Sequence, residues 1–226
     1  MRSFAVSQKR EIKACKIEAV ICDAMQTEEL SNCLILAIGS GSGHIATHFA
    51  KNNAVTAADV ENQLCTGEAV LNFVQLTDRH LPFQDASFDI VILNHVLTYV
   101  PDQLYTLVEF RRVLKPEGLC YVSMPNRLFP IDPHSKIPAI HYLPRHLYVK
   151  IIRQLTGGNE EICMRNYAEM IELFNSAGFV PHDYTVEVLS NPLRYHSGVR
   201  FRLPKWHRLS LISPTNIFIL KKNKVQ

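Results

Sequence analysis

The chain alternates short apolar runs with longer stretches of helical spacing, and the runs stop at glycine or aspartate. Leu34 to Ile38 is five aliphatic residues ending at Gly39, as a strand buried on both faces of a parallel sheet does. Ala54 to Ala58 is a second short strand and ends at Asp59; Leu71 to Leu76, Asp89 to Leu93 and Leu119 to Met124 follow as the third to fifth. Segments of helical periodicity lie between them. Residues 7–29 carry Ile12, Cys15, Ala19 and Cys22 on one side, and His44 to Lys51 follows the glycines. Leu104 to Leu114 is amphipathic and is terminated by Lys115-Pro116-Glu117-Gly118; Tyr167 to Ala177 closes at Gly178. Thr185 to Leu189 and Asn216 to Leu220 read as the last two strands, separated by the basic segment 194–208 with no clear helix.

This order predicts an α/β fold: a Rossmann-like, doubly wound, mostly parallel seven-stranded sheet with helices on both faces and an antiparallel edge strand. Residues 1–226 form a single domain with an N-terminal helical segment, 1–31. The stretch 125–160 is rich in Pro and His and breaks the rhythm. It reads as a substrate-covering insertion over the C-terminal edge of the sheet, where open α/β sheets place their ligands.

Composition narrows the class. Hydrophobic residues make up 47% of the chain and charged residues 20%, the balance of a soluble globular protein rather than a disordered one. No apolar run reaches the length of a membrane span, so no stable membrane insertion is expected, and the N-terminal MRSFAVSQKREIKACK lacks the apolar core of a signal peptide. None of the six cysteines forms a C-x-x-C pair; Cys33, Cys65 and Cys120 read as small buried hydrophobes, and a reducing, cytoplasmic setting fits. The net charge of +3 is too small to imply nucleic acid. Arg194, Arg200, Arg202, Lys205 and Arg208 read as a solvated face.

The chemistry starts at LILAIGSGSG. A Walker loop would need a lysine after the last glycine, and none follows Gly43. The dinucleotide fingerprint would need a small residue where His44 stands. Gly39, Gly41 and Gly43 instead form G-x-G-x-G, which lets the backbone pass close to a ligand while the next helix starts. Asp59 ends the second strand, where a carboxylate accepts hydrogen bonds from both hydroxyls of a ribose. Asp78 follows the third strand, so all three elements line one crevice at consecutive strand ends.

The segments LILAIGSGSG, VTAADVEN, TDRHLPFQDASFDIVILNHVLTYVPD and FRRVLKPEGLCYVSMPN, in that order over residues 30–126, resemble the class I S-adenosylmethionine-dependent methyltransferases of the small-molecule type. ISPTNIFILKK is similar to that family's last strand. The resemblance implies S-adenosyl-L-methionine as cofactor. It implies that Gly39, Gly41 and Gly43, with Ser40 between them, wrap its methionine part. Asp59, followed by Val60, would hold the ribose. Asp78, with Arg79 and His80, would meet the adenine edge, and Asn94 and His95 would lie under the methionine end. At Ala37 the chain departs from the family, which usually has Asp or Glu there. Losing a charged hydrogen bond costs about 1.5–3 kcal/mol, so cofactor binding is expected to be weaker unless another group substitutes.

Methyl transfer to a hydroxyl needs an aligned acceptor and a base. The insertion supplies Asp132, His134, His141 and His146. An imidazole suits the task near neutral pH, with His134 the first candidate and His141 the second. No metal site is expected: Asp132 and His134 fit no standard ligand spacing, and His44 and His48 read as ordinary helix residues. Tyr99, Tyr142, Arg127 and Arg145 could shape an acceptor pocket. The expected reaction is methylation of a small-molecule acceptor at a hydroxyl oxygen, on a sugar, quinone, lipid-linked or polyketide-like molecule. The alternative is a cofactor-fold binding or regulatory module without turnover.

Overall fold

The computed structural model describes residues 2–65, 71–132, 135–156, 162–197 and 208–223. Its elements run in the order α1 (Arg2–Met25), β1 (Leu34–Ile38), α2 (His44–Phe49), β2 (Ala54–Asp59), β3 (Asn72–Gln75), β4 (Phe88–Asn94), α3 (Gln103–Val113), β5 (Leu114–Pro125), α4 (Arg145–Thr156), α5 (Tyr167–Ser176), β6 (Phe179–Asp183), α6 (Thr185–Ser190), α7 (Leu209–Ile212) and β7 (Thr215–Lys222).

The strands form one seven-stranded sheet in the order β3-β2-β1-β4-β5-β7-β6. β1 pairs in parallel with both β2 and β4, and β7 runs antiparallel to β5 and to β6. The expected doubly wound sheet is present. Its antiparallel strand stands one place in from the edge.

Alternation along the central strands sends side chains to two separate cores. Leu36, Val91, Leu93, Cys120, Val122, Phe218 and Leu220 pack on one face with Leu107 and Phe110 of α3 and Met170, Leu173 and Phe174 of α5. Ile35, Ala37, Ile90, Ile92, Tyr121, Ile217 and Ile219 pack on the other with Ile17, Val20 and Ile21 of α1 and Ala46 and Phe49 of α2. The buried residues of α1 are Ala14, Ile17, Val20, Ile21 and Cys22; of the expected stripe Ile12–Cys15–Ala19–Cys22, Cys22 is buried, Ala19 packs against the core and Ile12 is exposed. Both sets have helical spacing, and contact with α2 selects between them.

Three further expectations are corrected. Thr185 to Leu189 is not a strand: its β-branched residues lie in α6, and the place in the ladder is taken by Phe179–Asp183. Pro181 and two polar residues disguise that strand, and β6 is an edge, where a proline costs no ladder bond. β5 begins at Leu114, directly after α3; Lys115 to Gly118 form an irregularity between the pairs Phe88–Leu114 and Ile90–Leu119. Gly118 is needed there, because a Cβ would stand 2.8 Å from the carbonyl oxygen of Asp89. Of the cysteines, Cys120 is buried as expected, but Cys33 is only half-buried and Cys65 is exposed; all six are free thiols. No helix among the described residues is long and apolar enough to cross a membrane.

Candidate active site

The C-terminal ends of β1, β2 and β4 meet in a cleft of about 920 Å³, lined by Gly39, Asp59, Asp78, Arg79, Asn94 and His95 among others. Val60 also borders it, as do Leu81, Val96, Tyr99, Val100 and Phe110. Ser40, Gly41 and Gly43 belong to the same loop but do not border the cleft.

The loop is left-handed at all three glycines, with φ of 63° at Gly39, 49° at Gly41 and 81° at Gly43. Gly39 has a second reason to lack a side chain: a Cβ there would lie 2.2 Å from Cγ2 of Val96. A Cβ on Gly41 would meet nothing within 4 Å, so the backbone there faces open space. Such an arrangement offers bare peptide groups to a ligand.

Asp59 holds the loop. Its Oδ2 accepts from the Gly41 N–H at 2.8 Å and its Oδ1 from the Val60 N–H at 2.8 Å. From the other side, Arg10 of α1 donates to Oγ of Ser42 at 2.6 Å. Ala37, by contrast, is buried in the apolar core between Ala57 and Ile92. The loop is therefore organised from β2 and α1, with no carboxylate beneath it on β1.

The far end of the cleft is built by Asp78, whose Oδ1 accepts from the Arg79 N–H at 2.6 Å. Arg79 reaches Asp102 at 3.5 Å across exposed surface. His80 turns away from the cleft to pair with Glu109 at 2.9 Å. Buried Glu109 also accepts from Arg112 and from the Leu81 N–H. The hydrogen bond from Arg112, together with those charges, holds the Glu109 carboxyl below the ordinary glutamate range. This network fixes Leu81, one wall of the cleft. At the other end, Asn94 accepts from the Ser123 hydroxyl at 2.9 Å.

A second cavity, about 380 Å³, adjoins the Asn94 end and is lined by Lys13, His95, Tyr99, Phe129, Asp132 and Lys136, with others. His95 and Tyr99 border both spaces. His95 is left-handed, with φ of 62°, a conformation uncommon for residues other than glycine but in which histidine is enriched.

His134 lies outside the described residues. His141 lines neither of these spaces. It is buried beside Asp132, with 3.7 Å between its Nδ1 and Asp132 Oδ2. That is longer than a hydrogen bond, and neither ring nitrogen has a hydrogen-bond partner. Asp132 accepts instead from the Tyr148 hydroxyl at 2.9 Å and from Ser135. Burial, with Asp132 as second cause, pushes the Tyr148 hydroxyl well above the ordinary tyrosine range. His146 is exposed on α4; Tyr142, exposed in the turn before α4, donates its hydroxyl to the Leu128 carbonyl. His44 and His48 are separated in role: His48 pairs with Glu11 and Glu18 of α1. Sequence reasoning missed Val96, Val100 and Thr106 as cleft residues; the segment between β4 and α3 was the only pointer to them.

Residues 36–122 match the family described as a methyltransferase domain. The demethylmenaquinone methyltransferase of Chlamydia caviae is 26% identical over 201 residues, covering 85% of this chain and 80% of that protein. The demethylmenaquinone methyltransferase of Staphylococcus epidermidis is 36% identical over 108 residues, 44% of this chain and 45% of that protein, so the chain spans under half of its length. An S-adenosylmethionine-dependent methyltransferase from Mesorhizobium loti shares the fold at a TM-score of 0.61 and 13% identity, over 91% of this chain and 98% of that one. The family match over residues 36–122 and the full-length similarity to a demethylmenaquinone methyltransferase support a class I S-adenosylmethionine-dependent methyltransferase with S-adenosylmethionine as its cofactor. The residues present fit it: a cleft of nucleotide-cofactor size, a bare-backbone loop at one wall and a carboxylate at the tip of β2.

Proposed function

We propose that this protein methylates a hydroxyl oxygen of a small-molecule acceptor that sits in the 380 Å³ cavity beside His95. The observation that carries this reading is that His95 and Tyr99 border both the cofactor cleft and that cavity. Gly39 and its loop would hold the methionine part of the cofactor, Asp59 the ribose, and Asp78 with Arg79 the adenine edge. When bound, S-adenosylmethionine supplies an electrophilic methyl group for in-line displacement.

The chain's own part is to align the acceptor and take its proton. His95, which borders both spaces, is the candidate for this, since an imidazole is a base near neutral pH. Lys136 and Lys13 give the acceptor cavity a basic rim, with buried Asp132 at its wall. Similarity to demethylmenaquinone methyltransferases supports a quinone-type ring as the kind of acceptor to try first; that likeness concerns the ring and not the atom methylated.

The test is release of S-adenosylhomocysteine with a panel of quinols, sugars and phenols, followed by mass spectrometry of the product. His95→Asn preserves the left-handed backbone, which asparagine tolerates. It is expected to lose most turnover while cofactor affinity stays within about threefold, no more than one ordinary hydrogen bond contributes. His134→Ala is the competing variant. Full activity in His95→Asn with loss in His134→Ala would move the base to the insertion.

A further inference from the structure

A third cavity, of about 310 Å³, lies on the far side of Pro101 from the cofactor cleft; Pro101 lines both. Its polar walls are Arg127, Arg165, His141, Tyr148, Gln103 and Glu169. Two arginines are brought together here by the backbone. Asn126 and Arg165 form a parallel β-bridge, and the Arg127 N–H donates to the Arg165 carbonyl at 3.0 Å.

Their charges are poorly answered. Among the described residues, no carboxylate forms an ion pair with Arg127 or Arg165. Arg165 donates through Nε to Oε1 of Gln103, and among the described residues the rest of its fork makes no hydrogen bond. Gln103 is itself fixed, donating to the carbonyls of Leu97 and Cys163. Among the described lining residues Glu169 is the one acid, and its Oε2 is committed to the Asn166 N–H in the cap of α5. His141, almost fully buried, adds two ring nitrogens without hydrogen-bond partners. Buried polar groups are normally satisfied, so the unpartnered nitrogens of His141, beside two guanidinium groups that no described carboxylate pairs with, suit a bound anion.

We propose that this cavity is a subsite for an anionic group of the methyl acceptor, a phosphoryl or a carboxylate, gripped by Arg127 and Arg165. Guanidinium forks match both groups with paired hydrogen bonds. The proposal rests on the small-molecule acceptor reading only for the identity of the molecule that carries the anion. It makes that acceptor an amphiphile or conjugate, with its reacting hydroxyl near His95 and its charge beyond Pro101.

Calorimetric titration of the full chain with inorganic phosphate and, separately, with benzoate tests this at constant ionic strength. S-adenosylhomocysteine titration of the same protein is the control. Arg127→Gln is the informative variant, because among the described residues the Arg127 side chain makes no hydrogen bond or ion pair whose loss would disturb folding. Saturable binding of one anion, weakened at least about tenfold in Arg127→Gln with unchanged S-adenosylhomocysteine affinity, is the expected result. The anion that binds tells a phosphoryl from a carboxylate. Binding of neither, or binding equal in Arg127→Gln and wild type, overturns the subsite and leaves the cofactor site standing. Anion binding without any S-adenosylhomocysteine binding would instead remove the cofactor reading and keep this one.

Discussion

The Asp59 carboxylate on β2 and the Gly41 N–H in the loop after β1 are joined by a 2.8 Å hydrogen bond. The same carboxylate also takes the Val60 N–H. An ionised carboxylate offers about four lone-pair sites, so capacity remains for ribose hydroxyls. One side chain thereby has two duties, shaping the loop and receiving the ligand. Asp59→Ala is expected to weaken S-adenosylhomocysteine binding by at least about tenfold, since a charged hydrogen bond contributes about 1.5–3 kcal/mol. Calorimetry on the folded variant decides it, and unchanged affinity would take Asp59 out of the site.

Gly39 answers to both backbone and neighbour. With φ of 63° and Val96 at 2.2 Å from a built Cβ, Gly39→Ala forces the loop or Val96 to move. The left-handed conformation alone adds about 1–3 kcal/mol. The expected outcome is a lower melting temperature and loss of cofactor binding. Val96→Ala in the Gly39→Ala background should restore part of both, because it removes the two nearest methyl groups. No recovery in the double variant would show that backbone strain, not the clash, dominates.

The Glu109 network predicts a pH dependence. Its carboxyl is held below the ordinary value of 4.5, chiefly by Arg112. A depressed folded value means that the stabilisation is fully present above the ordinary range and is lost as pH falls through the lowered value. Thermal melts should therefore show stability dropping as pH decreases below 4.5. Glu109→Gln should flatten that part of the curve and cost about 1–3 kcal/mol at neutral pH, the usual cost of disturbing a buried hydrogen-bonded group. A pH profile identical to wild type would assign the acid sensitivity elsewhere.

Much of this was legible in the chain because it depends on local pattern. LILAI and DIVIL are unbroken aliphatic runs, and only strands covered on both faces need them. Asp59 and Asp78 were readable because strand ends in such sheets converge on one crevice. What stayed hidden depends on contacts far apart in sequence. The burial of His141 beside Asp132 and Tyr148 has no periodic signal. Phe179–Asp183 looks unlike a strand because an edge position tolerates Pro181, while α6 looks like one because its buried side needs Val186 and Val188. The organisation of the loop without an acid at Ala37 rests on Arg10 of α1, 32 residues before Ser42.

The placement of β7 has a consequence for how the protein is made. It is the last of the seven strands to be synthesised, yet it fills the gap between β5 and β6. Until Thr215–Lys222 leaves the ribosome, β5 has a bare edge whose Cys120, Val122 and Met124 are destined for the core. A nascent chain paused before that point presents an apolar, unpaired ladder, the template for association with other chains. Stop codons or slow translation just upstream of β7 should therefore yield aggregates rather than a smaller folded enzyme.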